Sequence, residues 1–196
     1  MGERVRFAVV HGRFQPFHLE HLAYCELALR RADALVVGIT NFDPALFEVE
    51  AANPRRHELA ANPFSYWERT LMIRDALLQA GVPPARFTLV ALPIHHPERW
   101  RDYVPTDPRH ALHILRVFSA WEEEKARRLA AAGWRVEAIR GEAKVIAATE
   151  VRARIAANQP WEHLVPEAVR AWIMRLDGAA RLRRLRVQAA SDVNGK

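Results

Sequence analysis

Only one cysteine, Cys25, occurs among the 196 residues. That excludes an intramolecular disulfide framework and a cysteine-rich zinc site, and it fits a reducing, cytoplasmic setting. Long hydrophobic runs are missing too. The most apolar stretches, Ala8 to Val10 and Ala34 to Ile39, fall far short of the roughly 20 residues that a membrane-spanning helix needs. No charged-then-apolar leader is expected at the start, and no internal repeat or low-complexity linker is seen. Acidic residues are in deficit: 23 Asp and Glu against 29 Lys and Arg leave a formal net charge of +6 and a sequence pI near 10.2. Anionic partners follow from that sign, whether nucleotides, phosphorylated metabolites or nucleic acid. What is plentiful is apolar surface, at 50% of residues with 27% charged. This excludes disorder and fibre and suffices for the core of one compact domain of roughly 100 to 200 residues.

Val5 to Val10 and Ala34 to Thr40 are continuous β-branched and apolar runs, as strands buried on both faces require. Leu22 to Arg31 lies between them with helical spacing. Ser65 and Glu68 stand in capping-box relation at the start of a helix that runs to Gly81. Phe87 to Ile94, Ala111 to Phe118 and Trp134 to Ile139 read as further strands. Trp121 to Ala132, Thr149 to Ala157 and Pro166 to Leu176 read as helices. Strands alternating with helices imply an α/β fold with a parallel sheet covered on both sides, whose ligands sit beyond the carboxyl ends of the strands. Two connections are long. Asn41 to Phe64, with Arg55, Arg56 and His57, is a candidate lid, and Pro93 to Pro108, with His95, His96 and Trp100, a candidate substrate loop. The domain is expected over 1–177, followed by a basic tail over 178–196 that carries Arg181, Arg183, Arg184 and Arg186.

The first strand runs directly into His11, Gly12, Arg13, Phe14, Gln15, Pro16, Phe17, His18, Leu19, Glu20 and His21. A glycine at a strand end permits close backbone approach to a ligand, and Pro16 fixes the turn before a helix. On that helix's first turn His18 and His21, three apart, share one face. The helix N-terminus there already offers unpaired N–H groups and partial positive charge, and phosphate suits such a place.

GRFQPFHLEH resembles the GRFQPFHxGH signature of the HxGH nucleotidyltransferase superfamily, most closely the archaeal-type nicotinamide mononucleotide adenylyltransferases. Asn62, Pro63 and Phe64 with Glu68 and Arg69 resemble that family's NPF…ER stretch. Pro93 to Trp100 is similar to its substrate loop, Thr149, Glu150, Val151 and Arg152 to its late TE[IV]R motif, and Trp161 to Pro166 to the segment after it. The similarity spans about residues 4 to 175. It implies a Rossmann-like doubly wound parallel sheet of the nucleotidyltransferase type with a helical C-terminal part. The reaction implied is attack of a substrate phosphate on the α-phosphorus of a nucleoside triphosphate, with release of pyrophosphate and no covalent enzyme intermediate. Catalysis then consists of positioning and charge stabilisation.

The resemblance assigns His18 and His21 to the triphosphate, with Gly12 and Phe14 offering backbone and Arg13 a further phosphate contact. Thr149, at a helix N-cap, and Arg152 one turn on would form a second phosphate clamp; the simpler alternative for Thr149 is a cap alone. Magnesium is implied on the triphosphate oxygens with few or no dedicated protein ligands. Trp100, with His96, would meet the acceptor, the tryptophan either stacking on a flat ring or anchoring the loop by packing. Relatives of this type commonly form homo-oligomers.

Departures from the pattern are equally specific. Glu20 replaces the glycine of HxGH, and it either points away along the helix or repels the polyphosphate. Ala147 and Ala148 precede Thr149 where a serine is usual. His95 and His96 replace asparagines before the tryptophan. The segment Ser119 to Lys125 is loosely similar to some cytidylyltransferases, though an acidic helix start explains it as well. The leading expectation is adenylyl transfer from ATP to nicotinamide or nicotinate mononucleotide. The alternative is cytidylyl transfer from CTP to another small phosphate or phosphonate. A nucleic-acid-binding module using the arginine tail is a distant third, since no aromatic platform accompanies it.

Overall fold

The computed structural model describes residues 4–47, 58–141 and 143–194. Five strands form one parallel sheet in the order β3-β2-β1-β4-β5: β1 Val5–Gly12, β2 Ala32–Ile39, β3 Phe87–Ala91, β4 Ala111–Arg116 and β5 Val136–Ile139. The predicted alternation is thus realised, and the helical C-terminal part is present. Helix α1 (Leu19–Arg31) joins β1 to β2, and α2 (Tyr66–Gln79) lies between β2 and β3. Helix α3 (Ala120–Ala131) connects β4 to β5, and α4 (Ala148–Ala156), α5 (Glu167–Arg175) and α6 (Gly178–Asn194) follow. The arginine-rich tail is therefore the helix α6. Its Arg181 reaches back to Glu68 (2.7 and 2.8 Å) and to the Pro63 carbonyl (3.0 Å), while Arg183, Arg184 and Arg186 face solvent.

Two hydrophobic layers enclose the sheet. On one face Val10, Leu35 and Val37 pack with Cys25 and Leu29 of α1, Met72 and Ile73 of α2 and Ile173 of α5. On the other, Val9, Val36 and Leu115 pack with Trp100, Val104, and Ala126 and Leu129 of α3. Ser65 caps α2 with the predicted box: its Oγ accepts from the Glu68 N–H (3.2 Å), and Glu68 accepts from the Ser65 N–H (2.8 Å).

The register opens a crevice. β1 pairs with β2 from Val5↔Ala32 to Gly12↔Ile39, but with β4 only from Phe7↔Ala111 to Val9↔His113. β4 meanwhile continues against β5 to Arg116↔Ile139. Beyond Val9, the carboxyl ends of the two central strands therefore part. In this strand order the chain reverses direction there, at the place where open α/β sheets bind ligands.

Candidate active site

A cavity of ≈ 120 Å³ fills that crevice, lined among others by His11 of β1, His18, Glu20 and His21 at the start of α1, Arg116 at the end of β4, Lys125 of α3, and Lys144. Its size suits a phosphate or carboxylate group. The base and ribose of a nucleotide must lie outside it, since sites for whole drug-sized ligands run to roughly 300–1,000 Å³. Arg116, Lys125 and Lys144 bring positive charge from three separate elements, so the crevice attracts anions.

His18 stands at the N-cap of α1 with extended backbone, and its ring stacks on that of His21 (centroids 3.5 Å apart, 23° between planes). The His18 N–H donates to His21 Nδ1 at 3.3 Å. A neutral His21 therefore carries its proton on Nε2 and has that N–H to give. Burial, with Lys144 and Arg116 adding to it, lowers the His18 pKa to about 3; burial and His18 push His21 well below its ordinary value. Both rings are held neutral, so each has one ring N–H to offer rather than a charge.

The turn between β1 and α1 is fixed from outside. Phe14 has φ +54°, and its ring meets His21 edge-on (4.9 Å) and Phe17 (5.6 Å). A Cβ at Gly12 would lie 3.0 Å from that ring, so glycine is needed there. The buried Gln15 amide donates to the Phe64 carbonyl (2.8 Å) and accepts from the Phe64 N–H (3.0 Å), joining the first motif to the Asn62–Phe64 motif. Arg69, 1% exposed, donates to the carbonyls of Arg13, Thr40 and Asn41, each at 2.7 Å, and to that of Ser65 at 3.2 Å. Arg152 donates to the Gln15 carbonyl at 2.6 Å. Burial lowers both guanidiniums to a pKa of about 10, leaving them charged at neutral pH.

Several expected placements differ. The N-cap of α4 is Ala147 and not Thr149; the threonine sits within the first turn, exposed, its hydroxyl accepting from Arg152 at 3.4 Å. Arg152 is buried beneath the β1–α1 turn, and its charge supports that turn from below. The Arg13 guanidinium donates to the Ala61 carbonyl at 3.5 Å. Trp100 is 3% exposed, its indole N–H given to the Pro93 carbonyl (2.7 Å) and its ring beside Trp134 (5.1 Å). It takes the packing alternative, anchoring the loop. His96 lies at a second concavity with Asn41, Asp43 and His95, beyond the ends of β2 and β3, and its Nδ1 is 3.4 Å from Glu98. Arg55, Arg56 and His57 fall outside the described residues, as does the side chain of Trp121.

Glu20 lines the cavity with its carboxylate already engaged. Its carboxylate accepts from the Val145 N–H (2.7 Å) and lies 3.5 Å from Arg116, tying α1 to β4 and to the segment before α4. Arg116, Lys125, Lys144 and His11 were missed as site residues by sequence reasoning. His11 carried a local signal, standing next to Gly12 in the motif run, and Lys125 closes the segment similar to some cytidylyltransferases; Arg116 and Lys144 carried none. Among the described residues no group of three or more His, Cys, Asp or Glu could hold a metal ion, and no helix is long and apolar enough to cross a membrane.

Comparison with known proteins agrees with this geometry. The family model described as cytidylyltransferase-like matches residues 9–154. A phosphonoformate cytidylyltransferase of Streptomyces viridochromogenes is 43% identical over 162 residues, 82% of this chain and 86% of that protein. A nicotinamide-nucleotide adenylyltransferase of Pyrococcus horikoshii is 33% identical over 177 residues, 89% of this chain and 86% of that one. Among solved structures, a bifunctional NMN adenylyltransferase/ADP ribose pyrophosphatase from Francisella tularensis superposes with a TM-score of 0.73 at 16% identity, over 97% of this chain. This chain spans about half the length of that one, at 55%.

Proposed function

This chain belongs to the cytidylyltransferase-like family of nucleotidyltransferases, and from that premise we propose that it transfers a cytidylyl group from CTP to a small phosphonate or phosphate acceptor, releasing pyrophosphate. The observation that carries the reading is the cation-lined crevice at the parting of β1 and β4, with two stacked neutral imidazoles at its wall. An acceptor oxygen attacks the α-phosphorus, forming one P–O bond as the bond to the β-phosphate oxygen breaks. His18 and His21 donate N–H to oxygens on which charge develops, and Arg116 and Lys144 offset that charge. The β1–α1 turn, held by Gln15, Arg69 and Arg152, keeps the donors in place. The lining offers one carboxylate, Glu20, already engaged by Arg116 and Val145, so the residues do not form a dedicated magnesium site. Magnesium would enter on the triphosphate.

Two features favour CTP and a small acceptor over the reading that the motifs alone put first. Identity to the Streptomyces protein is 43%, against 33% to the Pyrococcus one. Trp100 is packed away, so it offers no ring face to a nicotinamide. The second reading, adenylyl transfer to a pyridine mononucleotide, is favoured by the longer coverage, 89% of this chain. Mass spectrometry after incubation with magnesium and CTP or ATP decides between them, with phosphonoformate, nicotinamide mononucleotide and nicotinate mononucleotide as acceptors. A cytidylyl phosphonate is the expected product. A dinucleotide formed from ATP alone would replace this reading with the second.

A further inference from the structure

His11 takes no part in the arrangement just described, yet its surroundings are unusual for a histidine. It is 8% exposed, and among the described residues neither ring nitrogen has a hydrogen-bond partner. A buried imidazole left so destabilises a fold. His113, the other histidine buried on this face of the sheet, shows the ordinary arrangement, with its Nε2 3.3 Å from the Pro105 carbonyl. The fold nonetheless makes room for His11. Its register partner on β2 is Gly38, where a Cβ would come within 3.2 Å of the His11 Cβ and 2.8 Å of Leu92. The Trp100 ring lies 6.0 Å from the imidazole, and Lys125 lines the same cavity. The ring lines the crevice that opens where β1 leaves β4 after Val9.

We propose that His11 is the acceptor-binding residue of this enzyme, hydrogen-bonding an acidic oxygen of a small phosphonate or carboxylate beside Lys125 and so determining which acceptors are used. The inference rests on the nucleotidyl-transfer reading and places His11 and the two α1 histidines on different walls of one cavity. His18 and His21 come from α1, which packs on the Val10–Leu35 face of the sheet. His11 lies on the opposite face, toward Leu92 and Trp100. A triphosphate held at the α1 terminus and an acceptor held by His11 would then meet across the ends of β1 and β4. Burial, with Lys125 adding to it, keeps the free imidazole neutral, so one ring nitrogen donates and the other accepts.

The test reads His11 directly in the unaltered enzyme. Its imidazole ¹⁵N resonances, assigned by their loss in His11→Asn, should shift when phosphonoformate is added and stay in place when CTP with magnesium is added alone. His11→Leu should raise the acceptor KM by about 10- to 100-fold, as expected for losing one hydrogen bond to a charged group. The CTP KM should hold within about two-fold, with His11→Asn intermediate. Resonances that respond only to the triphosphate, or an unchanged acceptor KM in both variants, would overturn the proposal. If the wild-type enzyme makes no product from phosphonoformate, the cytidylyl reading has failed. The same titration with nicotinamide mononucleotide and ATP then judges His11 separately: a shift with the mononucleotide sustains it, and no shift with either acceptor ends it.

Discussion

His21 spends its Nδ1 on the His18 backbone, which leaves a single, defined N–H at Nε2 to offer. Removing one preorganised donor from a charge-developing site costs on the order of 10²–10³ in turnover. His21→Ala should therefore lower kcat by that factor while circular dichroism stays unchanged; wild-type turnover would remove it from the reaction. Glu20 argues differently. Its carboxylate joins three segments at the cavity wall, so Glu20→Gly restores the motif but removes the acceptor of the Val145 N–H and the carboxylate beside Arg116. The expected result is a triphosphate KM raised severalfold, with kcat moved less, in steady-state kinetics. His18 and His21 were legible in the sequence because they fall within one contiguous run whose spacing sets their common face. Trp100 was not, because the choice between stacking and packing depends on a carbonyl at Pro93 that only the folded loop brings to the indole.

At the scale of elements, the β1–α1 turn is stapled by buried arginines from α2 and α4. Arg69 alone holds four carbonyls from three segments. Arg69→Met would leave them buried without donors, a loss of roughly 3–5 kcal/mol by analogy with breaking a buried charged partnership. Chemical denaturation should show it as a lowered midpoint with unchanged slope. Arg152→Ala should weaken triphosphate binding in calorimetry and also lower the melting temperature, because its contact is with the turn through Gln15. Loss of binding with no loss of stability would return it to the direct phosphate role implied by its motif. Strand and helix order was readable, since apolar runs and caps are local signals: the Ser65–Glu68 box stands as spaced. The capping role of Thr149 was misread because nothing in the sequence marks the helix as starting one residue earlier, at Ala148.

For the molecule as a whole, His11, His18, His21 and His113 are all held neutral, chiefly by burial, with His18 at about 3 and His113 at about 4. The unfolded chain protonates the same residues near pH 6.5. Below that pH the unfolded state binds protons that the folded state refuses, so stability is complete above about 6.5 and falls as pH drops toward 4. The slope approaches about 1.4 kcal/mol per pH unit for each proton of difference. Melting temperatures from pH 8 to 4 should be flat and then decline steeply; a flat profile to pH 4.5 would contradict the neutral assignment. The cluster Arg116, Lys125 and Lys144 was illegible from sequence because its members sit on a strand end, a helix and a connecting segment that share no periodicity and meet only where the folded chain lines the crevice.

The parallel topology also orders events during synthesis. The partner of β1 on one side, β2, follows it at once, but β4 begins at Ala111. At about 5–20 residues per second, the roughly 100 residues between β1 and the end of β4 take on the order of 5 to 20 seconds to make. Throughout that interval β1 keeps one edge unpaired, and the crevice that β4 completes has no second wall. Chaperone dependence should accordingly peak for ribosome-stalled chains ending before residue 111, and fall once 111–116 have emerged.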